Sequence, residues 1–178
     1  STSQGKVSQL RTYQDLLKNP QDEQDFEALA TAELYWMNLD GVQSKFLGAG
    51  MYTQANISPD GKYAIVSKLK KPFSYVVSYR SFPQETIIYD VQGKLIEKVN
   101  ETPLMEIMPK GFSSTLPGRR MLTWRADEPS TLFFVQALDG GDANKAVAYR
   151  DELFTLAYPF NGTPKSLTKL VDRFAGLI

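Results

Sequence analysis

The chain contains no histidine and no cysteine in 178 residues. Without histidine there is no imidazole base, so Ser-His-Asp and Cys-His machinery and imidazole metal sites are excluded for this chain alone. Without cysteine there are no disulfides, which leaves the compartment open, because many exported proteins also lack them. A dominant charge is missing too: 20 Lys and Arg balance 20 Asp and Glu, and no net field recruits nucleic acid or an anionic membrane surface. Long apolar runs are absent. Leu132-Phe133-Phe134-Val135 is typical, far short of the roughly 20 residues of a membrane span. Ser1 to Leu10 has neither an initiating Met nor the apolar centre of a signal peptide, as expected of a trimmed piece. The nearest approach to Gly-x-Ser-x-Gly is Gly111-Phe112-Ser113-Ser114-Thr115, which lacks the closing glycine. No catalytic residue, metal site or cofactor is expected within these residues.

What is present is a globular composition, with 42% hydrophobic and 12% aromatic residues, enough for one domain or a large part of one. The first thirty residues are helical in character. Thr12-Tyr13-Gln14-Asp15 carries a capping-box signal, Pro20 is expected to end that turn, and Asp25 to Ala30 suggests a second short helix. From about Ala32 the pattern changes to strands. Three glycine-centred turns follow, at Leu39-Asp40-Gly41, Val91-Gln92-Gly93 and Phe160-Asn161-Gly162.

Two turn tracts repeat. Ile57-Ser58-Pro59-Asp60-Gly61 and Trp124-Arg125-Ala126-Asp127-Glu128 each lead into an apolar strand. Their aspartates lie about 67 residues apart, and Gly93 and Gly162 about 69 apart, a shared offset that marks a repeated unit. Tandem four-stranded units of about 40–50 residues, lengthened by loop insertions, indicate a β-propeller. The expected fold is all-β: a short N-terminal helical lead-in over 1–30, then part of a propeller over 31–178. Within it, 31–48 would be the outer hairpin of a partial blade, 50–100 and 118–170 two complete blades, and 172–178 the first strand of another. Apolar residues on both faces of Ile87-Ile88-Tyr89 and Leu132 to Val135 fit sheets covered on both sides. A fragment of this kind would leave blade faces and a strand edge bare, so self-association is expected.

In an up-and-down sheet the first and third turns lie at one end and the second at the other. The first set is tight, whereas Lys70 to Gln84, Asn100 to Arg119 and Leu138 to Asp151 are long. Long loops in a compact domain usually carry function. Candidate substrate-binding residues there are Arg80, as a carboxylate clamp within an aromatic wall that includes Tyr75 and Tyr79, and Arg119 on a basic rim. For both arginines a solvated role competes and is favoured. Asp139-Gly140-Gly141-Asp142 has some character of a cation loop, but it lacks the longer oxygen ladder and suits a tight turn better. Asp60 and Asp127 are expected to bond their own turns.

Several stretches resemble a known family. Arg11 to Leu17, Ser58-Pro59-Asp60, Pro72-Phe73-Ser74-Tyr75, Phe82-Pro83, Trp124 to Leu132 and Asp139 to Ala143 together are similar to the glutamyl endopeptidase branch of the prolyl oligopeptidase family. That branch includes plant plastid enzymes and bacterial relatives called dipeptidyl or prolyl peptidases. The resemblance implies an N-terminal propeller packed on a C-terminal α/β-hydrolase domain that carries Ser, Asp and His. This chain would then be part of the propeller, gating and orienting peptide substrates for a hydrolase domain that is its partner. It also implies an exported or periplasmic location in a bacterial parent, or a plastid in a plant one. In the family pattern an arginine directly precedes Phe-Pro; here Ser81 stands there and Arg80 lies one residue earlier. The alternative is a stand-alone propeller, a protein-binding or scaffold module with no hydrolase.

Overall fold

A computed structural model gives the fold and describes residues 16–107 and 113–176. The expected cap at Thr12, Gly111 and Phe112 of the Gly111 to Thr115 tract, and the last two residues lie outside them.

The described chain opens with α1 (Pro20–Ala30). Asn19 caps it, its side-chain oxygen accepting from the N–H groups of Gln21 (2.8 Å) and Asp22 (3.0 Å). Pro20 fills the first helical position, where its missing N–H costs nothing. Pro20 therefore starts a helix, contrary to the expectation that it ends one. The helix sets Phe26 edge-on against Phe73 (5.2 Å) and Phe82 (5.8 Å).

Among the described residues ten strands follow in three antiparallel sheets. β1 (Ala32–Met37) and β2 (Gln43–Gly50) form a hairpin. β3 (Tyr52–Ile57), β4 (Tyr63–Leu69), β5 (Gln84–Asp90) and β6 (Leu95–Thr102) form a four-stranded sheet in chain order. β7 (Arg119–Trp124), β8 (Thr131–Ala137), β9 (Asp151–Ala157) and β10 (Lys165–Leu170) form a second one built the same way. β4 and β8 have the bounds that their apolar runs imply.

Strand alternation explains the stacking. Ile65, Ile88 and Val99 of the first sheet share one buried cluster with Leu132, Phe134 and Leu156 of the second. The alternate residues Ala64 and Val66 turn to the opposite face and bury Phe46 of the hairpin. Each fully buried Leu, Ile or Phe contributes about 1.5–3 kcal/mol. The double-sided apolar strands are thus covered on both faces.

Two features differ from the sequence reading. At the third expected turn the left-handed residue is Phe160 (φ 68°), not Gly162. A left-handed non-glycine costs about 1–3 kcal/mol, which the burial of a phenyl ring offsets. Phe160 is 2% exposed and packs against the rings of Tyr63 (5.4 Å) and Trp124 (5.8 Å). The second difference is at 171–176, where the described part of the strand expected over 172–178 carries no strand. Instead Phe174 folds back onto Phe133 (5.7 Å) and, with Leu170, covers the cluster of Phe133, Val135 and Leu153.

Candidate functional site

The two ends of the stacked sheets are built differently. At the tight-turn end the sheets interlock: the Asp60 N–H donates to the Pro129 carbonyl (3.1 Å), and Tyr63 stacks on Tyr158 (5.4 Å). Asp60 accepts from Ser58 Oγ (2.7 Å) and the Lys62 N–H (3.3 Å), the local role expected of it. Asp127 also bonds within its own turn, its carboxylate accepting from the Arg125 guanidinium (2.9 and 2.5 Å).

The opposite end carries the loops 70–83, 103–118 (described over 103–107 and 113–118) and 138–150. In the first of these, Phe73, Val77 and Phe82 are buried with Met51 and Leu69 beneath α1. Tyr75 and Tyr79 are 43% and 47% exposed. A hydrogen bond to Glu23 of α1 pushes the Tyr75 phenol up and ties that ring to the helix. Tyr79 and Arg80 begin a short 3-10 turn (Tyr79–Ser81), with the guanidinium carbon 6.0 Å from the centre of the Tyr79 ring. Arg80 is exposed and makes no ion pair among the described residues. Beside Tyr79 opens an apolar cleft of about 250 Å³, lined also by residues of α1, β3 and β4.

Arg119 is elsewhere. Its guanidinium donates to the Val99 carbonyl (2.7 Å) and lies 4.6 Å from the centre of the Phe134 ring. Burial lowers its pKa. The side chain braces β6 against β8 and is not grouped with Arg80, so the expected basic rim is corrected to an internal strut.

The sequence reading missed a buried ionic cluster at the third loop. Asp139 and Asp151 are 2% and 0% exposed. Arg173 donates to both oxygens of Asp139 (2.7 and 2.6 Å) and to Asp151 (3.0 Å). Arg150 adds a further bond to Asp139 (3.0 Å), and Arg120 pairs with Asp151. The Gly141 N–H donates to Asp139 (2.9 Å), which makes the Asp-Gly-Gly tract a turn. Burial pushes the Asp139 carboxyl up, but Arg173 and this N–H outweigh it and hold the pKa below its ordinary value. The two carboxylates are thus occupied by guanidinium groups. The sequence signals the turn but not its partner, which lies 34 residues away.

The first long loop therefore sets an apolar cleft beside exposed tyrosine rings and an arginine without an ion pair among the described residues. Known proteins match along nearly the whole chain. A rice (Oryza sativa subsp. japonica) protein is 38% identical over 178 residues, and an Arabidopsis thaliana protein is 36% identical over 173 residues. Both are named "Probable glutamyl endopeptidase, chloroplastic". The homologues are peptidases by name. The matches cover 99% and 96% of this chain but only 19% and 18% of those proteins. The chain thus spans about a fifth of the length of the curated relatives it matches. No known family profile matches it, and no solved structure does. Among the described residues no helix is long and apolar enough to cross a membrane.

Proposed function

We propose that this chain is a non-catalytic β-propeller segment of a serine peptidase of the prolyl oligopeptidase type, similar to the glutamyl endopeptidases. It gates and orients peptide substrates for a C-terminal α/β-hydrolase domain that lies outside these residues. The observation that carries this reading is the pair of chain-ordered four-stranded sheets stacked face to face, in a chain homologous to a small part of two much longer proteins named as peptidases. Such sheets are the blade unit of a propeller. Hydrolysis would need the nucleophile and histidine of the other domain. The long-loop end, with Tyr75, Tyr79 and Arg80, is the face that meets peptide or hydrolase. A plant-like parent would place the protein in a plastid, and a bacterial one in the periplasm or outside the cell.

The test compares this chain with its full-length parent on chromogenic acyl-peptides. The parent should turn them over and this chain should not. Arg80→Ala in the parent should lower kcat/KM for acidic peptides about 10-fold, with neutral peptides less affected, because a charged hydrogen bond is worth roughly 1.5–3 kcal/mol. Turnover by this chain alone would overturn the reading. No turnover by the parent would favour a scaffold propeller without a hydrolase.

A further inference from the structure

The β1–β2 hairpin is built like the second half of a complete sheet. At its turn the Asn38 N–H donates to the Val42 carbonyl (3.1 Å), the Gly41 N–H to the Asn38 carbonyl (3.0 Å) and the Val42 N–H to Asn38 Oδ1 (2.8 Å). The turn between β5 and β6 repeats these bonds. There the Asp90 N–H donates to the Lys94 carbonyl (2.9 Å), the Gly93 N–H to the Asp90 carbonyl (3.0 Å) and the Lys94 N–H to Asp90 Oδ1 (2.9 Å). Gly41 and Gly93 also share a left-handed backbone, with φ of 81° and 83°. The turn between β3 and β4 is longer, closing from the Ser58 N–H to the Tyr63 carbonyl (2.8 Å). β1 and β2 thus correspond to the third and fourth strands of a sheet. α1 then stands where the loops 70–83 and 138–150 stand, directly before a third strand.

In both four-stranded sheets the third strand pairs with the fourth on one edge and with the second on the other. β1 pairs with β2 alone, so its other edge has no strand partner among the described residues. The bond from the Asn38 N–H turns that residue toward β2, and the register is unbroken from Tyr35↔Lys45 to Met37↔Gln43. Backbone groups alternate in direction along an antiparallel strand. Trp36 therefore also bonds toward β2, while the N–H and C=O groups of Tyr35 and Met37 point to the open edge. The sheet beneath is unevenly covered. Ala55 and Ile57 of β3 pair with Val66 and Ala64 and share their face, yet only the latter two are buried against the hairpin. On the other side β3 is engaged, because Gln54 donates to the Leu122 carbonyl (3.2 Å) and Trp124 to the Asn56 carbonyl (3.0 Å). We infer that the open edge of β1 takes a strand of the parent polypeptide that precedes α1. That strand and its neighbour complete a third four-stranded sheet and supply the cover that Ala55 and Ile57 lack. α1 becomes its second-to-third connection, on the same end as the other long loops. The occupant belongs to the same polypeptide because both complete sheets follow chain order. The relatives, about five times longer than this chain, have the polypeptide to supply it. The inference rests on the propeller-segment reading and names the partner of its incomplete sheet.

The experiment is amide hydrogen exchange on the full-length parent, resolved to single residues by fragmentation in the mass spectrometer. The Tyr35 and Met37 amides should exchange within about tenfold of the Trp36 amide, which β2 protects in either case. Exchange of Tyr35 and Met37 about 100-fold or more faster than Trp36 means an open edge and overturns the inference. The measurement is repeated over a dilution series followed by light scattering. Protection that persists in the monomer supports a strand of the same polypeptide, whereas protection lost with a dimer assigns the edge to a second copy and overturns it. Met37→Pro removes an outward N–H, which an open edge tolerates and a paired one does not. In the parent it should lower the thermal midpoint several degrees further than Met37→Ala. Equal midpoints for the two variants count against the added strand, and the exchange data on the wild type stand if Met37→Pro does not fold. Turnover of acyl-peptides by the same preparation tests the peptidase reading separately. An open edge in an active parent overturns the added strand alone.

Discussion

Arg173 holds both carboxylate oxygens of Asp139, at 2.7 and 2.6 Å, although the two residues lie 34 positions apart. The same guanidinium donates to the Ser113 carbonyl (2.8 Å) and to Asp151 (3.0 Å). One side chain thus fastens the segment after β10 to both long loops at that end of the second sheet. Buried ion pairs add little net stability over an apolar packing, but removing one partner strands the other.

Asp139→Asn should therefore destabilise the chain by about 1.5–3 kcal/mol, because Arg173 keeps its bond to Asp151 while Arg173 and Arg150 both lose a charged partner. Arg173→Met should cost less than the two losses imply once combined with Asp139→Asn, since the double variant leaves no stranded charge at that pair. Urea unfolding of the wild type, both singles and the double supplies the cycle. Additive losses would show that the two residues do not act as a unit.

The cluster also sets a pH dependence. Burial pushes Asp139 up, but Arg173 and the Gly141 N–H hold its folded pKa below the ordinary value. A depressed carboxylate pKa gives stability that is present above the unfolded value near 4 and is lost as pH falls through the folded one. The urea midpoint should drop on acidification below about pH 4, and Asp139→Asn should flatten part of that slope. A variant as acid-sensitive as the wild type would assign the slope to other carboxylates.

Gly141 isolates the backbone side of the same device. Its φ is +89°, and an added Cβ would lie 2.1 Å from the Thr115 carbonyl oxygen. The Thr115 N–H in turn donates to the Gly141 carbonyl (3.0 Å). Gly141→Ala should then lower the thermal midpoint by several degrees, with a loss above about 1 kcal/mol. Gly162→Ala, where nothing lies within 4 Å of the new Cβ, is the control. Equal midpoints for the two variants would contradict this packing.

Self-association remains a proposal tied to the propeller reading, and the fold now says where it would occur. Phe174 covers the outer face of the second sheet, whereas the β1–β2 hairpin exposes Tyr35 and Met37 on one face and Leu39 and Val42 at its tip. Light scattering over a concentration series should show association that Met37→Lys weakens, because a lysine there opposes burial of the face. A strictly monomeric wild type would end this proposal.

Local patterns made much of the fold legible in the sequence. Tyr63 to Leu69 and Thr131 to Ala137 are β-branched and aromatic runs bounded by turn residues, and both are strands with those bounds. The repeat spacing likewise announced two alike sheets, since it reflects chain-local hairpin lengths. The turn at Asp139 was legible for the same reason, because an aspartate two residues before a glycine N–H bonds it locally.

Tertiary structure decided the rest, wherever one local signal allows two outcomes. Proline both ends and starts helices, and the bonds of Asn19 determine which Pro20 does. Phe160 rather than Gly162 takes the left-handed backbone because a buried ring against Trp124 offsets the strain. Arg119 lies under the sheet stack because a carbonyl and a phenyl face from other strands meet it there. The segment after Leu170 has the apolar residues of a strand, yet Arg173 finds two buried carboxylates and folds it back. Contacts of this kind join residues remote in sequence, so composition and spacing fix the strands and turns, while the assembled sheets determine which side chains meet.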